Sequence, residues 1–280
     1  MQILKTIDAC KAWSKKQTST IGFIPTMGAL HDGHLCLVKE SKKLCLKTIV
    51  SIYINPSQFS PEEDLALYPK TLKTDLNHLD NLNVDAVFLP SDKEMSPKNK
   101  IDFIYKNNLF NKLEGRSRPL FFYGVTKVVS KLFKIVNPTH TFFGEKDAQQ
   151  ARIIKKMICD LNIDVDFISC PTVRDKRGLA LSSRNNYLTL QDQITASLLY
   201  ESLMIVNDSI LKGEKNTKIL KSLFENSIHS NPDFKIDYIS IACNNTLKEL
   251  KIVKPNSLIS AAIFFKKIRL IDNFVYQSST

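Results

Sequence analysis

The chain has no Cys-x-x-Cys pair, no low-complexity tract, no internal repeat and no long uncharged apolar run. Each absence removes a class of protein. Its six cysteines, Cys10, Cys36, Cys45, Cys159, Cys170 and Cys243, lie far apart, which supports neither a zinc knuckle nor a dense disulfide framework and predicts reduced, mostly buried thiols. The segment Met1–Asp8 lacks the apolar core of a signal peptide, and nowhere do roughly 18 uncharged apolar residues run together. A soluble, cytoplasmic protein with no membrane partner is expected.

What is present is ordinary globular composition: 280 residues, 43% hydrophobic and 24% charged. That suits a principal α/β domain with a smaller second one. The net charge of +11, from 39 basic and 28 acidic residues, can mark a nucleic-acid binder. The lysines, however, are scattered through segments 39–47, 127–134 and 212–221 at spacings that suit solvated helix faces. Nucleic acid is therefore not an expected partner.

Short apolar runs alternate with helical periods over the first part of the chain. Ile21–Ile24 stops at Pro25 and reads as a buried strand feeding a loop, with a helix over 35–46. Strands follow at 48–54, 84–90, 139–143 and 165–169, with helices at 69–82, 124–136 and 148–161. Such alternation specifies a Rossmann-like, doubly wound parallel sheet covered on both faces. After Leu190 the order changes to helices at about 191–212 and 217–229 and β-rich runs at 237–243 and 258–271, a smaller α+β lobe. The boundary is set at 175/176.

Ligands of such sheets sit outside the carboxyl ends of the strands. That rule selects the loops 25–34, 55–61, 144–147 and 171–187. In the first, Met27, Gly28, Ala29, Leu30, His31, Asp32, Gly33 and His34 lead into a helix. Its unpaired N–H groups and dipole favour phosphate, and the two histidines, three residues apart, can donate to phosphate oxygens. The same pair also fits a surface loop or half of a metal site. Around Leu181, Ser182, Ser183 and Arg184, two hydroxyls and a guanidinium suit phosphates, although a capping turn has the same composition. Gly144, Glu145, Lys146 and Asp147 end a strand and open a helix; Asp147 can accept from ribose and Lys146 can meet a phosphate, or the segment is simply a charged helix start. Asn55, Gln58 and Gln150 can hold a hydroxy acid without adding charge, and a structural turn at 55–59 is equally consistent.

These loops, in this order, resemble the pantoate-beta-alanine ligase family of the nucleotidyltransferase superfamily. The resemblance runs from about Ile21 to Asn273 and is most specific at Pro25–His34, Asn55–Phe59, Tyr68–Thr71, Phe143–Asp147, Leu179–Asn185 and Arg269–Asn273. It implies that ATP and pantoate form pantoyl-adenylate and diphosphate, after which β-alanine displaces AMP, with Mg²⁺ accompanying ATP. It implies phosphate contacts from Met27, His31 and His34, with His34 catalytic beside His31 and Lys146. Gly144, Lys146 and Asp147 would take the ribose and α-phosphate, Val173 would approach adenine, and Ser182, Ser183 and Arg184 would hold the phosphates. Gln58 and Gln150 would hold pantoate, with Asn55 beside them. Residues 1–175 would bind ATP and pantoate, 176–280 would close over the site, and two copies would pair through the first domain.

Asp75, on the helix after Tyr68–Pro69, is a candidate carboxylate for the metal. The chain departs from the family at Leu120 and Phe121, where a glycine and a histidine are usual in Arg-Pro-Gly-His-Phe-x-Gly-Val. A hydrogen-bond donor is thereby lost, costing about 1.5–3 kcal/mol unless Tyr123 or a basic neighbour replaces it. Two other readings remain, a nucleotidyltransferase making a dinucleotide or activated alcohol and, much less favoured, a nucleic-acid-binding protein.

Overall fold

The structure is a computed structural model describing residues 1–60, 63–95 and 105–277; position 61, the end of the expected loop 55–61, lies outside the described residues. The chain divides into two units. The first comprises Met1–Phe110, Arg118–Glu145 and Gln150–Pro171, the second Asn111–Ser117, Lys146–Gln149 and Thr172–Thr280. The main crossing at Pro171–Thr172 comes slightly before the expected boundary. Two short segments ahead of that crossing, Asn111–Ser117 and Lys146–Gln149, which no composition shift marks, belong to the second unit.

The first unit is built on strands β1 (Gln2–Leu4), β2 (Ile21–Thr26), β3 (Lys47–Ile52), β4 (Ala86–Phe88), β5 (His140–Gly144) and β6 (Asp166–Cys170). They form one sheet in the order β1-β4-β3-β2-β5-β6, and every pairing is parallel. Successive strands step outward from β2 to β3 and β4, then the chain returns to β5 on the other side of β2. The switch point lies between β2 and β5, where doubly wound sheets place their ligands. Strand β2 is almost wholly buried, as a two-face-covered strand must be. Gly22 admits the helix above it, since a Cβ there would sit 2.1 Å from Ser41 Oγ.

In chain order the helices up to residue 160 are α1 (Ile7–Lys15), α2 (Asp32–Leu44), α3 (Leu72–Asn81), α4 (Asp92–Met95), α5 (Glu114–Ser117), which lies in the second unit, α6 (Phe121–Val136) and α7 (Ala148–Asp160), whose first two residues also fall in the second unit. In α6 the residues Phe122, Val125, Val129, Leu132, Phe133 and Val136 are buried, the stripe expected of a helix covering a sheet. It ends at Asn137, which takes φ +48°, ahead of Pro138. The β1–α1 pair was not foreseen. A three-residue edge strand is too short for its alternation to register, and only its pairing with β4 identifies it.

The second unit has α8 (Leu190–Ala196), α9 (Leu198–Leu211) and α10 (Thr217–Ile228), with the antiparallel sheet β7 (Phe234–Cys243), β8 (Ser257–Phe265) and β9 (Ile268–Tyr276) in that order. Leu203, Val206, Ile210, Leu220, Phe224 and Ile259 lie in its core. The single helix expected over 191–212 breaks at Ser197. Leu190–Leu211 is long and apolar enough by composition to cross a membrane, yet its residues Leu199, Leu203, Val206 and Ile210 belong to that core. The β-rich run 258–271 is a hairpin: Phe265 pairs with Ile268, so Lys266 and Lys267 make the turn. Lys266 takes φ +54°, a conformation usually given to glycine or asparagine, and the turn is therefore invisible in composition.

A charged cluster fastens Asn111–Ser117 within this unit. Arg269 on β9 pairs with Glu114 and, at 2.5 Å, with Asp237. Register along β7 shifts between Ile236 and Tyr238, and the intervening Asp237 is turned to accept from Arg269 and from Ser117 Oγ, the re-aiming that bulges provide. The Tyr238 hydroxyl donates to Glu114 at 2.6 Å; burial and that carboxylate push its pKa well up. Arg269→Met leaves two carboxylates without their cation. The expected loss is about 3–5 kcal/mol of unfolding free energy, read from urea denaturation followed by circular dichroism. A loss below about 1 kcal/mol, the range of exposed pairs, would show that the cluster does not hold the unit.

Candidate active site

Strand β2 ends at Thr26, and the chain must reverse before α2 starts at Asp32. Gly28 and Ala29 do this with φ +82° and +50°, and for alanine that conformation costs roughly 1–2 kcal/mol. The compensation is Asp75 on α3. Its carboxylate accepts the N–H of Ala29 and of Leu30, each at 2.9 Å, and the Thr71 hydroxyl at 3.0 Å. Successive N–H groups converging in this way make a small anion-binding hollow, here filled by a side chain only 2% exposed. A Cβ on Gly28 would come within 3.1 Å of the same carboxylate, so the position requires glycine. The reading of Asp75 as a metal carboxylate gives way to this one. Among the described residues no group of three or more His, Cys, Asp or Glu is placed to hold a metal.

The turn delivers His31 as N-cap of α2. His31 Nδ1 accepts the Gly33 N–H at 3.1 Å, and His34 Nδ1 accepts the His31 N–H at 3.4 Å, a reciprocal capping box made by imidazoles. The N–H groups of His34 and Leu35 go to His31 O. The first-turn amides expected to meet phosphate are thus largely committed within the protein. The capping bonds also select a tautomer: a ring whose Nδ1 accepts carries its proton on Nε2. Both rings, with centroids 4.1 Å apart, therefore carry their protons on Nε2.

After β3, Asn55 caps the short turn Pro56–Gln58. Its Nδ2 donates to Gln58 Oε1 at 3.2 Å and to Gly124 O at 3.0 Å, while its Oδ1 accepts from Ser57 Oγ at 2.8 Å. This fixes the Gln58 amide with its oxygen toward Asn55 and its Nε2 toward Met27 Sδ, 2.6 Å away. Met27, Asn55 and Gln58, read from separate motifs, meet here. Gly124 on α6 lets the helix approach; a Cβ would fall 2.2 Å from Ser57 O. At the divergent pair, Leu120 is exposed and the Phe121 ring lies 3.7 Å from the Arg118 guanidinium. Arg118 is the basic neighbour at this position, its guanidinium face lying against that ring. Tyr123 instead packs edge-on against Phe110.

Beyond β5, Gly144 and Glu145 remain in the first unit, with Gln150 in the first turn of α7. Glu145 binds Arg152 at 2.6 Å and the Ser169 hydroxyl, a brace between loop, helix and β6. Lys146 and Asp147 belong to the second unit, their charged ends 3.8 Å apart. There Asn273 Nδ2 on β9 donates to Lys146 O at 2.9 Å. The adjacent Asp272, 2% exposed, takes Arg174 in two bonds of 2.5 and 2.8 Å. Arg174 pairs with Ala180 in an isolated bridge, and Leu181 N–H donates to Val173 O at 3.0 Å. Val173 and Leu181–Arg184 are thereby presented as one anchored loop, with Ser182 capping the turn Ser183–Tyr187. Arg174 and Asp272 were not singled out from sequence, because a pair 98 positions apart leaves no local pattern.

A doubly wound parallel sheet with a histidine-capped helix at its switch point, followed by an α+β unit, places the protein in the α/β class that binds ligands at strand ends. Comparison with known proteins narrows this. The family model for pantoate-beta-alanine ligase matches residues 2–275. The pantothenate synthetase of Pseudothermotoga lettingae is 44% identical over 277 residues, covering 98% of this chain and 99% of the relative. That of Fervidobacterium nodosum is 45% identical over 279 residues, with the same coverage. Among solved structures, pantothenate synthetase from Thermus thermophilus superposes with a TM-score of 0.93 at 35% identity, covering 98% of this chain and 99% of that one. Pantoate-beta-alanine ligase from Francisella tularensis, complexed with beta-gamma ATP and beta-alanine, gives 0.80 at 37%, covering 98% and 97%. The chain belongs to the pantoate-beta-alanine ligase family.

If Asp75 shapes the histidine loop, Asp75→Asn keeps an acceptor for one of the two backbone N–H groups and puts an amide NH2 against the other. Unfolding free energy should fall by about 1.5–3 kcal/mol, the scale of hydrogen bonds to a charged group. The side-chain ¹⁵N resonances of His31 and His34 should also leave the Nε2–H pattern. Unchanged resonances in a folded variant would argue against the linkage.

Proposed function

We propose that this protein is an ATP-dependent ligase that condenses pantoate with β-alanine, through pantoyl-adenylate, to give pantothenate, AMP and diphosphate. Family membership over nearly the whole chain supports the reaction. The observation that carries the site assignment is the imidazole pair at the switch point, whose capping bonds through Nδ1 set the ring proton of each on Nε2. A pantoate carboxylate oxygen attacks the α-phosphorus in line, the bond to the β-phosphate oxygen breaks, and diphosphate leaves with the electron pair. The β-alanine amine then attacks the acyl carbon, AMP departs, and the amine's proton passes to solvent. No covalent enzyme intermediate is required; positioning and neutralisation of charge suffice.

In this reading His34 and His31 donate to the phosphates, with Met27 lining that turn, and Lys146 meets the α-phosphate. Ser182, Ser183 and Arg184 hold the β- and γ-phosphates, Asp147 and Gly144 take the ribose, and Val173 meets adenine. Gln58 and Gln150 read the pantoate hydroxyls, with Asn55 orienting Gln58. Magnesium would accompany ATP as part of the substrate and would supply neutralisation of phosphate charge. The protein is proposed to work in the cytoplasm, as a homodimer paired through its first unit, and sedimentation of the purified protein tests the dimer.

Formation of AMP that requires both pantoate and β-alanine is the direct test of function. For the site, folded His34→Ala and Lys146→Ala variants should each release diphosphate about 10²–10³-fold more slowly, as for loss of a transition-state donor. Rates within a few-fold of the parent would remove these residues from the mechanism. Chelating magnesium should abolish turnover while leaving the melting temperature unchanged, because the metal belongs to the substrate; a fall in melting temperature would reveal a structural ion.

A further inference from the structure

We propose that Phe121 and Arg118 form a latch that positions Gln58 for the acid substrate; this rests on Gln58 being a pantoate-binding residue. The Arg118 guanidinium is planar, with donors along its edges and a face open to an aromatic ring. Along its edges, Nε and Nη2 hold both oxygens of Glu63, at 2.5 and 2.7 Å, and Nη2 also reaches the Gln58 backbone carbonyl at 3.4 Å. The Phe121 ring covers one face at 3.7 Å. The arrangement is substantially withdrawn from solvent, with the Arg118 and Glu63 side chains 16% and 22% exposed, so it is screened less than a surface pair.

Glu63 is folded back onto Ser60, whose N–H donates to Glu63 Oε2 at 3.3 Å and whose carbonyl accepts the Glu63 N–H at 3.0 Å. Ser60 and Glu63 are therefore tied to Arg118 at the entry of α6. The same helix meets the turn a second time where Gly124 packs against Ser57 O. One contact fixes the turn beneath Ser57 and the other fixes the Gln58 main chain. Without the ring, the guanidinium gains a route to water and the hold on the Gln58 carbonyl loosens, while the side-chain contacts of Gln58 with Asn55 and Met27 remain. Phe121 is a positioning residue, acting through Arg118.

The test varies pantoate at saturating ATP and β-alanine. Phe121→Leu keeps apolar bulk but removes the ring face, and it should raise KM for pantoate about 3- to 20-fold, the span expected for a partly desolvated cation–π contact. Its kcat and its KM for ATP should stay within about twofold of the parent, whereas a general loss of structure would move all three. Phe121→Tyr should restore the parent KM, and Phe121→Leu should add nothing in an Arg118→Met background. Should Phe121→Leu not fold, Glu63→Gln, which weakens the latch from its other edge, should raise KM for pantoate in the same way. An unchanged KM in either folded variant, equal losses in the Leu and Tyr variants, or additive losses with Arg118→Met would overturn the latch. An unaltered protein that makes no AMP from pantoate would overturn the ligase reading and the latch together, and shows before any variant is made.

Discussion

A carboxylate on α3, Asp75, sets the geometry on which the proposed chemistry of the first unit depends. Two left-handed residues in succession, one of them alanine, form a turn that the backbone would not hold unaided. Closing it around a buried anion makes two backbone N–H groups partners of a charge, and charged acceptors make the stronger hydrogen bonds. The consequence reaches the histidines. Because the turn ends where it does, His31 becomes the helix cap and His34 its reciprocal partner. Their Nδ1 atoms are then acceptors, which sets the ring protons on Nε2.

The second unit solves the same problem with polar contacts from its sheet. Strand β9 contributes Arg269, Asp272 and Asn273, which hold the Asn111–Ser117 segment, the Arg174 loop and the Lys146 carbonyl respectively. Buried ion pairs add little net stability over well-packed apolar residues, since both charges must be desolvated. What they provide is direction: a bidentate guanidinium–carboxylate contact permits one geometry, whereas leucines in its place permit many. A loop that must present its side chains in one arrangement needs that restriction more than it needs stability. Arg174 meets Asp272 with two bonds and also reaches Gly178 O at 2.9 Å, so the loop is pinned at its base and at its turn.

Much of this was legible in the sequence because it is local. Apolar runs stopped by proline, helical stripes such as that of α6, and the loops at strand ends all follow from spacings of a few residues. The architecture and the positions of Met27, His31, His34, Asn55 and Gln58 follow from them. What was not legible depends on partners distant in sequence or on a residue used against its usual preference. Asp75 reads as a metal carboxylate until its backbone donors, 45 and 46 residues away, are known. Lys266 hides a hairpin because lysine seldom takes a left-handed φ. The first-turn amides of α2 look open to phosphate, since nothing in an H-x-x-H spacing says that the imidazoles themselves will cap the helix.

The divergence at Leu120 and Phe121 shows how the two kinds of constraint trade against each other. A histidine at the entry of α6 could donate a hydrogen bond; a phenylalanine cannot. Yet the helix entry has a second task, holding the turn that carries Gln58, and that task is met by shape and by Arg118. Gly124 admits the backbone of Ser57, Arg118 collects the Glu63 carboxylate and the Gln58 carbonyl, and the aromatic ring shields the guanidinium. A donor lost from this position leaves the turn intact, because the groups that shape it are elsewhere. Changes at Gly124 would meet no such tolerance, since backbone lies where a side chain would have to go.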